Sequence, residues 1–569
     1  MTLDTLRQLL PEVEVGPRLV SALLGSSAAA ILVLKWMGQR RTQKKMEEAR
    51  RRRELGLGQM EKAVQQFKQQ NPGIQASHIL SLSLVELAEK LKESSLSPES
   101  VLYTYMDKAL EVTREVNCLR HFIPECEEQL QEVRRQKERG LLYGVPVSIK
   151  DHIGYKGHLS TCGFVQLLSR LEQEDSVMVK VLKRQGAIPF VLTNVPQSLF
   201  NYDCSNSIFG QTVNPLNHQK SPGGSSGGEG ALIAGGGSVL GFGTDIGGSI
   251  RLPSSFCGLC GLKPTGNRLS PTALSVTGAV GPMARDVDSL ALCMRALLCD
   301  DMFRLDPTVP PLAFNEEVYS SSAPLRIGYY DTDGYFLLPP CMRRAVHETK
   351  EILQKAGHTV SSATPTSCSE PVSLTWCKAT GFCALPLFPP SAGDVVDPGL
   401  EPQVNCYRIP TLVKKMLALT VRPLVSLIFL SQCWLGFRLA FSTQAYRMEF
   451  IAAWRKLKLD VVLCPVLGPA FTVGYPGKLF AAVSSTMLYN VLNFPAGVVP
   501  VTTVTEADEE DLKHYTGHYG DPWDRTLRQV TMGLPVAVQC VALPWQEELC
   551  LRFMKEVETL ARGRKRRKV

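Results

Sequence analysis

What the chain has little of narrows its class first. Nine histidines in 569 residues offer no convincing base beside a nucleophilic serine, so a Ser-His mechanism starts without its second member. Seventeen cysteines fall without regular spacing, which argues against a disulfide framework and reads as reduced, mostly buried small residues of a cytosolic chain. The single Cys257-Gly258-Leu259-Cys260 pair has no second pair or histidine ligand at zinc spacing, so core packing is its expected role and no metal or cofactor is expected. The net charge of +8 is mild for this length. Basic clusters sit near the two ends rather than in a central stripe, which favours membrane headgroups over nucleic acid as a partner.

Long uncharged apolar runs are scarce too, and two stand out. Leu19 to Leu34, extended by Trp36 and Met37 past Lys35, is just long enough for a spanning helix, which needs about 20 residues. No basic region precedes it as a cleaved signal peptide would require, whereas Arg40, Arg41, Lys44 and Lys45 follow. Residues 1–38 are therefore expected to be an N-terminal transmembrane anchor with the C-terminal side in the cytosol. A buried N-terminal helix is the competing explanation. The second run, Pro423 to Phe437, is too short to span, but Arg422, Arg438, Lys414 and Lys415 bracket it. That suits helices lying in a membrane interface, and residues 409–441 are expected to form such a cap; a buried core helix pair competes.

Between these runs the chain alternates. Residues 39–75 read as a charged juxtamembrane helix or linker, Arg50 to Arg53 being a basic cluster and Asn71-Pro72-Gly73 a break. Ser83 and Glu86 have capping-box spacing, and Ser97-Pro98 opens another helix. From Tyr143, short strands (Val145–Ile149, Ala187–Thr193, Leu325–Tyr329, Val461–Cys464, Val498–Val504, Pro535–Val541) alternate with helices near Ser176–Gln185, Arg285–Leu298 and Met342–Lys355. The fold class this implies is α/β. Residues 562–569 form a basic tail that resembles a nuclear localisation sequence and is expected to be merely solvated.

Everything else is organised around Ser221 to Pro253. Gly223-Gly224-Ser225-Ser226-Gly227-Gly228 is followed by Ala231-Leu232-Ile233-Ala234, Ser238 to Phe242, then Gly243-Thr244-Asp245-Ile246-Gly247-Gly248-Ser249-Ile250-Arg251-Leu252-Pro253. Glycine this dense is expected not to build a core but to let backbone N–H groups turn toward a ligand. The apolar runs between the glycines exclude a flexible linker.

This order resembles the signature of the amidase signature family of serine hydrolases, and the resemblance runs from about Leu80 to Leu560. It implies a central mixed β-sheet surrounded by α-helices over residues 76–561, and a Ser-Ser-Lys triad. The nucleophile would be Ser249, the bridging serine Ser225, and the base Lys150 at the end of Gly144-Val145-Pro146-Val147-Ser148-Ile149-Lys150. A neutral lysine is required, hence burial or nearby positive charge to depress its usual value of about 10.4. Ser226 would help order the relay, and the N–H groups of Ile246, Gly247, Gly248 and Ser249 would form an oxyanion hole. Asp245 and Arg251 would hold the loop as a charge pair.

The resemblance is strongest to membrane-bound members that cleave lipid amides such as N-acylethanolamines and primary fatty amides. It therefore implies a lipid amide substrate, with Leu199, Phe200, Phe382 and Phe429 along an acyl channel. A homodimer on the endoplasmic reticulum or Golgi membrane belongs to the same expectation. The segment from Arg268 to Pro282 is shorter than the resemblance leads one to expect, leaving the amine preference open, with Val276 to Val280 shaping the polar end of the pocket. Three alternatives stand beside this one. They are a glutamine amidase subunit of an amidotransferase, an α/β-hydrolase elbow with Ser225 as nucleophile and a histidine such as His514 or His518, and a catalytically silent membrane scaffold.

Overall fold

The computed structural model describes residues 17–270, 278–333, 338–363, 394–401, 404–405, 439–476, 483–515 and 531–568. Phe382, Phe429, nearly all of 409–441, Val276 and His518 lie outside these residues.

Thirteen strands alternate with helices in the described chain. They are β1 (Leu119–Phe122), β2 (Pro146–Lys150), β3 (Ile188–Thr193), β4 (Ser205–Asn206), β5 (Gly210–Gln211), β6 (Leu240–Asp245), β7 (Cys260–Lys263), β8 (Ala279–Ala284), β9 (Arg326–Tyr329), β10 (Thr359–Ser362), β11 (Val461–Pro465), β12 (Ala496–Thr503) and β13 (Pro535–Val541). β4 and β5 pair only with each other, and the remaining strands form one 11-stranded sheet in the order β1-β3-β2-β6-β8-β7-β12-β13-β11-β9-β10. The sheet is mixed: β2 runs parallel to β3 and β6, whereas β8 is antiparallel to both β6 and β7. Every residue of β2, β3 and β6 is buried, as expected where both faces of a parallel segment are covered. Because β2 and β6 are parallel neighbours, their C-terminal ends lie together, the usual place for a ligand site in such sheets.

The capping box at Ser83 and Glu86 forms as anticipated, and the helix begun by Ser97-Pro98 runs to Val116, stopping at the left-handed Asn117. Most anticipated strands and helices are present within a residue or two. The glycine-dense stretch departs from expectation, because it is core. It folds into helix Gly227–Ala234, strand β6 and helix Arg251–Cys257, and Ser221 to Ile233 is buried throughout. Close approach explains the glycines here. A Cβ on Gly228 would lie 2.5 Å from the backbone of Asn194, and one on Gly241 would lie 2.0 Å from Glu229 Oε2.

The two N-terminal segments are one helix, Pro17–Gln70. Among the described residues no helix is long and apolar enough to cross a membrane, so the spanning helix expected here is not seen as such. Nor is the helix buried along the later part of the apolar run, since Ile31, Leu32, Val33, Leu34 and Trp36 are exposed. Its later part does not behave as a linker: Met60, Val64 and Phe67 enter the main core, a helical spacing that the surrounding charge obscured. Phe67 stacks on Tyr103 at 4.4 Å. The basic cluster divides. Arg51 and Arg52 pair with Glu48 on the exposed face, while Arg50 donates to the carbonyls of Ile208 (2.7 Å) and Ser207 (2.9 Å) and Arg53 donates to Asn117 Oδ1 (2.5 Å). The basic tail likewise continues a helix, Glu547–Lys568, and Arg564 pairs with Glu348 at 2.9 Å rather than being merely solvated.

Replacing Arg50 and Arg53 together by alanine removes these docking bonds, each worth roughly 1 kcal/mol. Limited proteolysis is expected to cut the variant between residues 40 and 60 several-fold faster than the parent, without loss of the sheet's circular-dichroism signal. Equal cutting rates would show that the apolar contacts alone hold the helix.

Candidate active site

Lys150 is the last residue of β2 and is fully buried. Its Nζ lies 2.8 Å from Ser225 Oγ, 3.0 Å from Thr244 Oγ1 and 3.5 Å from the Thr244 carbonyl. Parallel pairing of β2 with β6 is what brings Lys150 and Thr244 together across 94 residues of sequence. Burial depresses the lysine pKa to about 7, against the opposing pull of Asp245 and, more weakly, Cys204, Cys162 and Glu229. A neutral amine near physiological pH is therefore available, and the lowering comes from desolvation rather than from the nearby positive charge that was the other expected route.

Ser225 is buried in the loop that leads into helix Gly227–Ala234, after a cis Gly224–Ser225 peptide. Ser226 N–H donates to the Ser249 carbonyl at 3.1 Å, tying the two serine loops together. The Ser226 hydroxyl meets the Thr244 backbone, accepting from its N–H at 3.4 Å. Ser226 therefore orders the residue that holds the lysine. Ser249 is half-buried and lines a cleft of about 490 Å³, mouth included, whose walls include Leu199, Phe200, Ile246, Gly247 and Met487.

The loop carrying Ser249 is fixed by the anticipated charge pair. Asp245 and Arg251 are both wholly buried, 2.8 Å apart. Arg251 uses all five of its donors: two bonds reach Asp245, and the others reach Asn490 Oδ1, the Thr486 carbonyl and Gln539 Oε1. The other lone pairs of Asp245 accept from the N–H groups of Gly248 (2.8 Å) and Ile250 (3.1 Å). The oxyanion-hole expectation changes accordingly, because the Gly248 N–H is already engaged. Ile246, Gly247 and Ser249 keep N–H groups unengaged among the described residues. Gly248 has φ +135°, and a Cβ there would lie 2.5 Å from Thr486 Oγ1, so only glycine fits this bend.

The elbow alternative lacks its structure, since no strand directly precedes Ser225 and His514 ends an exposed surface helix. Among the described residues no group of three or more His, Cys, Asp or Glu could hold a metal ion. Sequence reasoning did not single out Thr244, His152, Asn490 or Gln539. The first two had a usable signal: His152 lies two residues from Lys150, and Thr244 adjoins Asp245. Asn490 and Gln539 lie 239 and 288 residues from Arg251, and nothing local marks them.

Comparison with known proteins identifies the family. The amidase family profile matches residues 100–551. "Fatty-acid amide hydrolase 1" of Sus scrofa is 52% identical, covering 94% of this chain and 95% of its own length. "Vitamin D3 hydroxylase-associated protein" of Gallus gallus is 61% identical over 74% of this chain and 93% of its own. A solved structure of "Fatty acid amide hydrolase" superposes with a TM-score of 0.72 at 24% identity, covering 91% of this chain and 95% of that one, a likeness of fold.

Burying Lys150 makes its contribution to stability depend on pH. Below about pH 7 the lysine is charged in folded and unfolded chains alike, and the fold bears the whole cost of a buried charge. Between there and about 10.4 the unfolded chain keeps a proton that the folded one has released, so this contribution rises with pH. Lys150→Met is therefore expected to raise Tm most below pH 7, with the gain shrinking toward pH 10. A Tm difference that stays constant from pH 6 to 10 would contradict a buried, depressed lysine.

Proposed function

The chain belongs to the amidase signature family and is a serine amidase; from that premise we propose that it hydrolyses fatty acid amides, N-acylethanolamines and primary fatty amides among them, to a free fatty acid and an amine. The observation that carries this reading is the 2.8 Å contact between the buried, depressed Lys150 and Ser225. Ser249 is the nucleophile. Its hydroxyl proton passes to Ser225 Oγ as the Ser225 proton passes to Lys150 Nζ, and the Ser249 oxygen adds to the amide carbonyl. The N–H groups of Ile246, Gly247 and Ser249 receive the oxyanion. The C–N bond then breaks, the departing nitrogen taking a proton from Ser225, which is refilled from Lys150. Water deacylates the ester by the same relay, regenerating Ser249 and releasing the acid. Leu199 and Phe200 lie along the acyl chain.

Fatty-acid amides enter from the pig relative's name, and the apolar cleft beside Ser249 supports them over glutamine. Membrane attachment is proposed through the exposed Ile31–Met37 stretch, with Arg40, Arg41, Lys44 and Lys45 reaching lipid phosphates. The 409–441 segment is the second contact, and the catalytic domain lies on the cytosolic face of the endoplasmic reticulum or Golgi. A homodimer belongs to the same reading, and light scattering of the solubilised protein reads it directly.

Labelling with a fluorophosphonate followed by mass spectrometry is expected to place the adduct on Ser249, with Lys150→Ala reacting far more slowly. Oleamide should be turned over, glutamine not, and Ser249→Ala should lose at least about 1,000-fold in kcat. In the parent, kcat/KM should rise through an ionisation near pH 7, the value burial gives Lys150. An adduct on Ser225, or hydrolysis of glutamine in preference to oleamide, would overturn the assignment. For the membrane, deletion of residues 1–38 together with 409–441 is expected to release the protein from pelleted vesicles, and pelleting that survives the double deletion would refute both contacts.

A further inference from the structure

His152 lies two residues beyond Lys150, 3% exposed, in the turn that follows β2. Its Nε2 is 3.1 Å from Thr244 Oγ1, the same hydroxyl oxygen that lies 3.0 Å from Lys150 Nζ. The other ring nitrogen, Nδ1, has no partner among the described residues, so within them the imidazole bonds to Thr244 alone. A threonine hydroxyl has one proton, and it can be directed at the histidine or at the lysine but not at both.

We propose that His152 is a positioning residue for the base: by accepting the Thr244 hydroxyl proton at Nε2, it turns the Thr244 lone pairs toward Lys150 and keeps the lysine's own lone pair facing Ser225. The inference rests on the role given to Lys150 above. A neutral amine has two N–H groups and one lone pair. The two N–H groups go to Thr244 Oγ1 and to the Thr244 carbonyl at 3.5 Å; the lone pair is left for the Ser225 hydroxyl at 2.8 Å. Without the imidazole, the acceptor left within reach of the Thr244 hydroxyl is that same lone pair, and Thr244 then competes with Ser225 for the base. Burial, reinforced by Lys150, holds the His152 ring neutral, with one ring nitrogen protonated and the other an acceptor; the proposal places that proton on Nδ1, which leaves Nε2 to accept. The charged or ionisable groups facing Lys150 itself are Asp245, Cys204, Cys162 and Glu229, and none of them bonds to Thr244 Oγ1. Ser226 fixes the Thr244 backbone from the other side, leaving the hydroxyl rotor as the free variable.

The test is a double-mutant cycle on the full-length, detergent-solubilised protein, read as the rate of fluorophosphonate addition to Ser249, with Tm measured for every variant. His152→Leu is expected to slow labelling about tenfold, the effect of one misdirected buried hydrogen bond. His152→Gln, whose Oε1 accepts where Nε2 did, should return to within about twofold of the parent. In a Thr244→Val background, His152→Leu should cause no further loss, because the hydroxyl it directs is gone. Should His152→Leu fail to fold, His152→Asn, whose amide stops short of Thr244, takes its place with the same expectation. Losses that add in the double variant, or a glutamine variant no faster than the leucine one, would overturn the proposal and leave His152 a packing residue. A parent protein that labels elsewhere than Ser249 would overturn the Lys150 assignment and this inference together, whereas Ser249 labelling with an additive cycle would overturn the inference alone.

Discussion

One buried ion pair sets the geometry of the loop that carries Ser249. Arg251 and Asp245, both without solvent contact, bind the end of β6 to the helix that follows it; Arg251 also reaches Thr486 and Asn490 on the helix Ser484–Val491 and Gln539 on β13, in the distant half of the sheet. Ser249 sits between the two charges in sequence. Its position follows from theirs. Removing one partner of such a pair leaves a buried charge without compensation, at a cost of roughly 3–5 kcal/mol. The loop is thus fixed by chemistry that does not involve the Lys150 amine or the Ser225 and Ser249 hydroxyls.

The same pair explains why Lys150 is not locked into an ion pair of its own. Burial raises the Asp245 pKa, but Arg251 outweighs it and holds the carboxylate below its usual range, so its charge is already neutralised. The lysine is left with desolvation, two serine and threonine hydroxyls and a carbonyl. Glu229 shows the inverse case in the same interior: burial lifts its carboxyl to about 7 despite hydrogen bonds from Ser148 (2.5 Å) and Thr193 (2.7 Å). Lys263, with its Nζ on the Pro264 carbonyl at 2.9 Å, is also lowered to about 7 by burial, Arg251 adding to the effect. Near neutral pH this part of the core sets the matched Arg251–Asp245 pair beside several groups poised to be uncharged.

The parts legible in the sequence were those with a local physical cause. A capping box, a proline at a helix start and the short buried strands each announce themselves within a few residues; Lys150 was recognisable only because the family resemblance calls for a lysine at the end of such a strand. Glycine density misled in one respect. Glycine this dense reads as unable to build a core, whereas Gly228 and Gly241 are there because a backbone and a carboxylate pack where side chains would have been. Long-range partners were invisible: only the sheet order β8-β7-β12-β13 brings Gln539 to Arg251. Charge content similarly hid the apolar face of Met60, Val64 and Phe67, since three residues among many basic and acidic ones barely alter composition.

The unbroken helix from Pro17 to Gln70 has a mechanical meaning. Its second half is bolted to the enzyme body by Arg50, Arg53 and the stacked Phe67, so the exposed apolar residues up to Met37 are carried on a stiff arm and not on a slack tether. At about 1.5 Å per residue, the rise from Met37 to Arg50 is roughly 20 Å. With the tip in the membrane contact proposed above, a stiff arm joins that surface to the enzyme body and holds the two at a set distance.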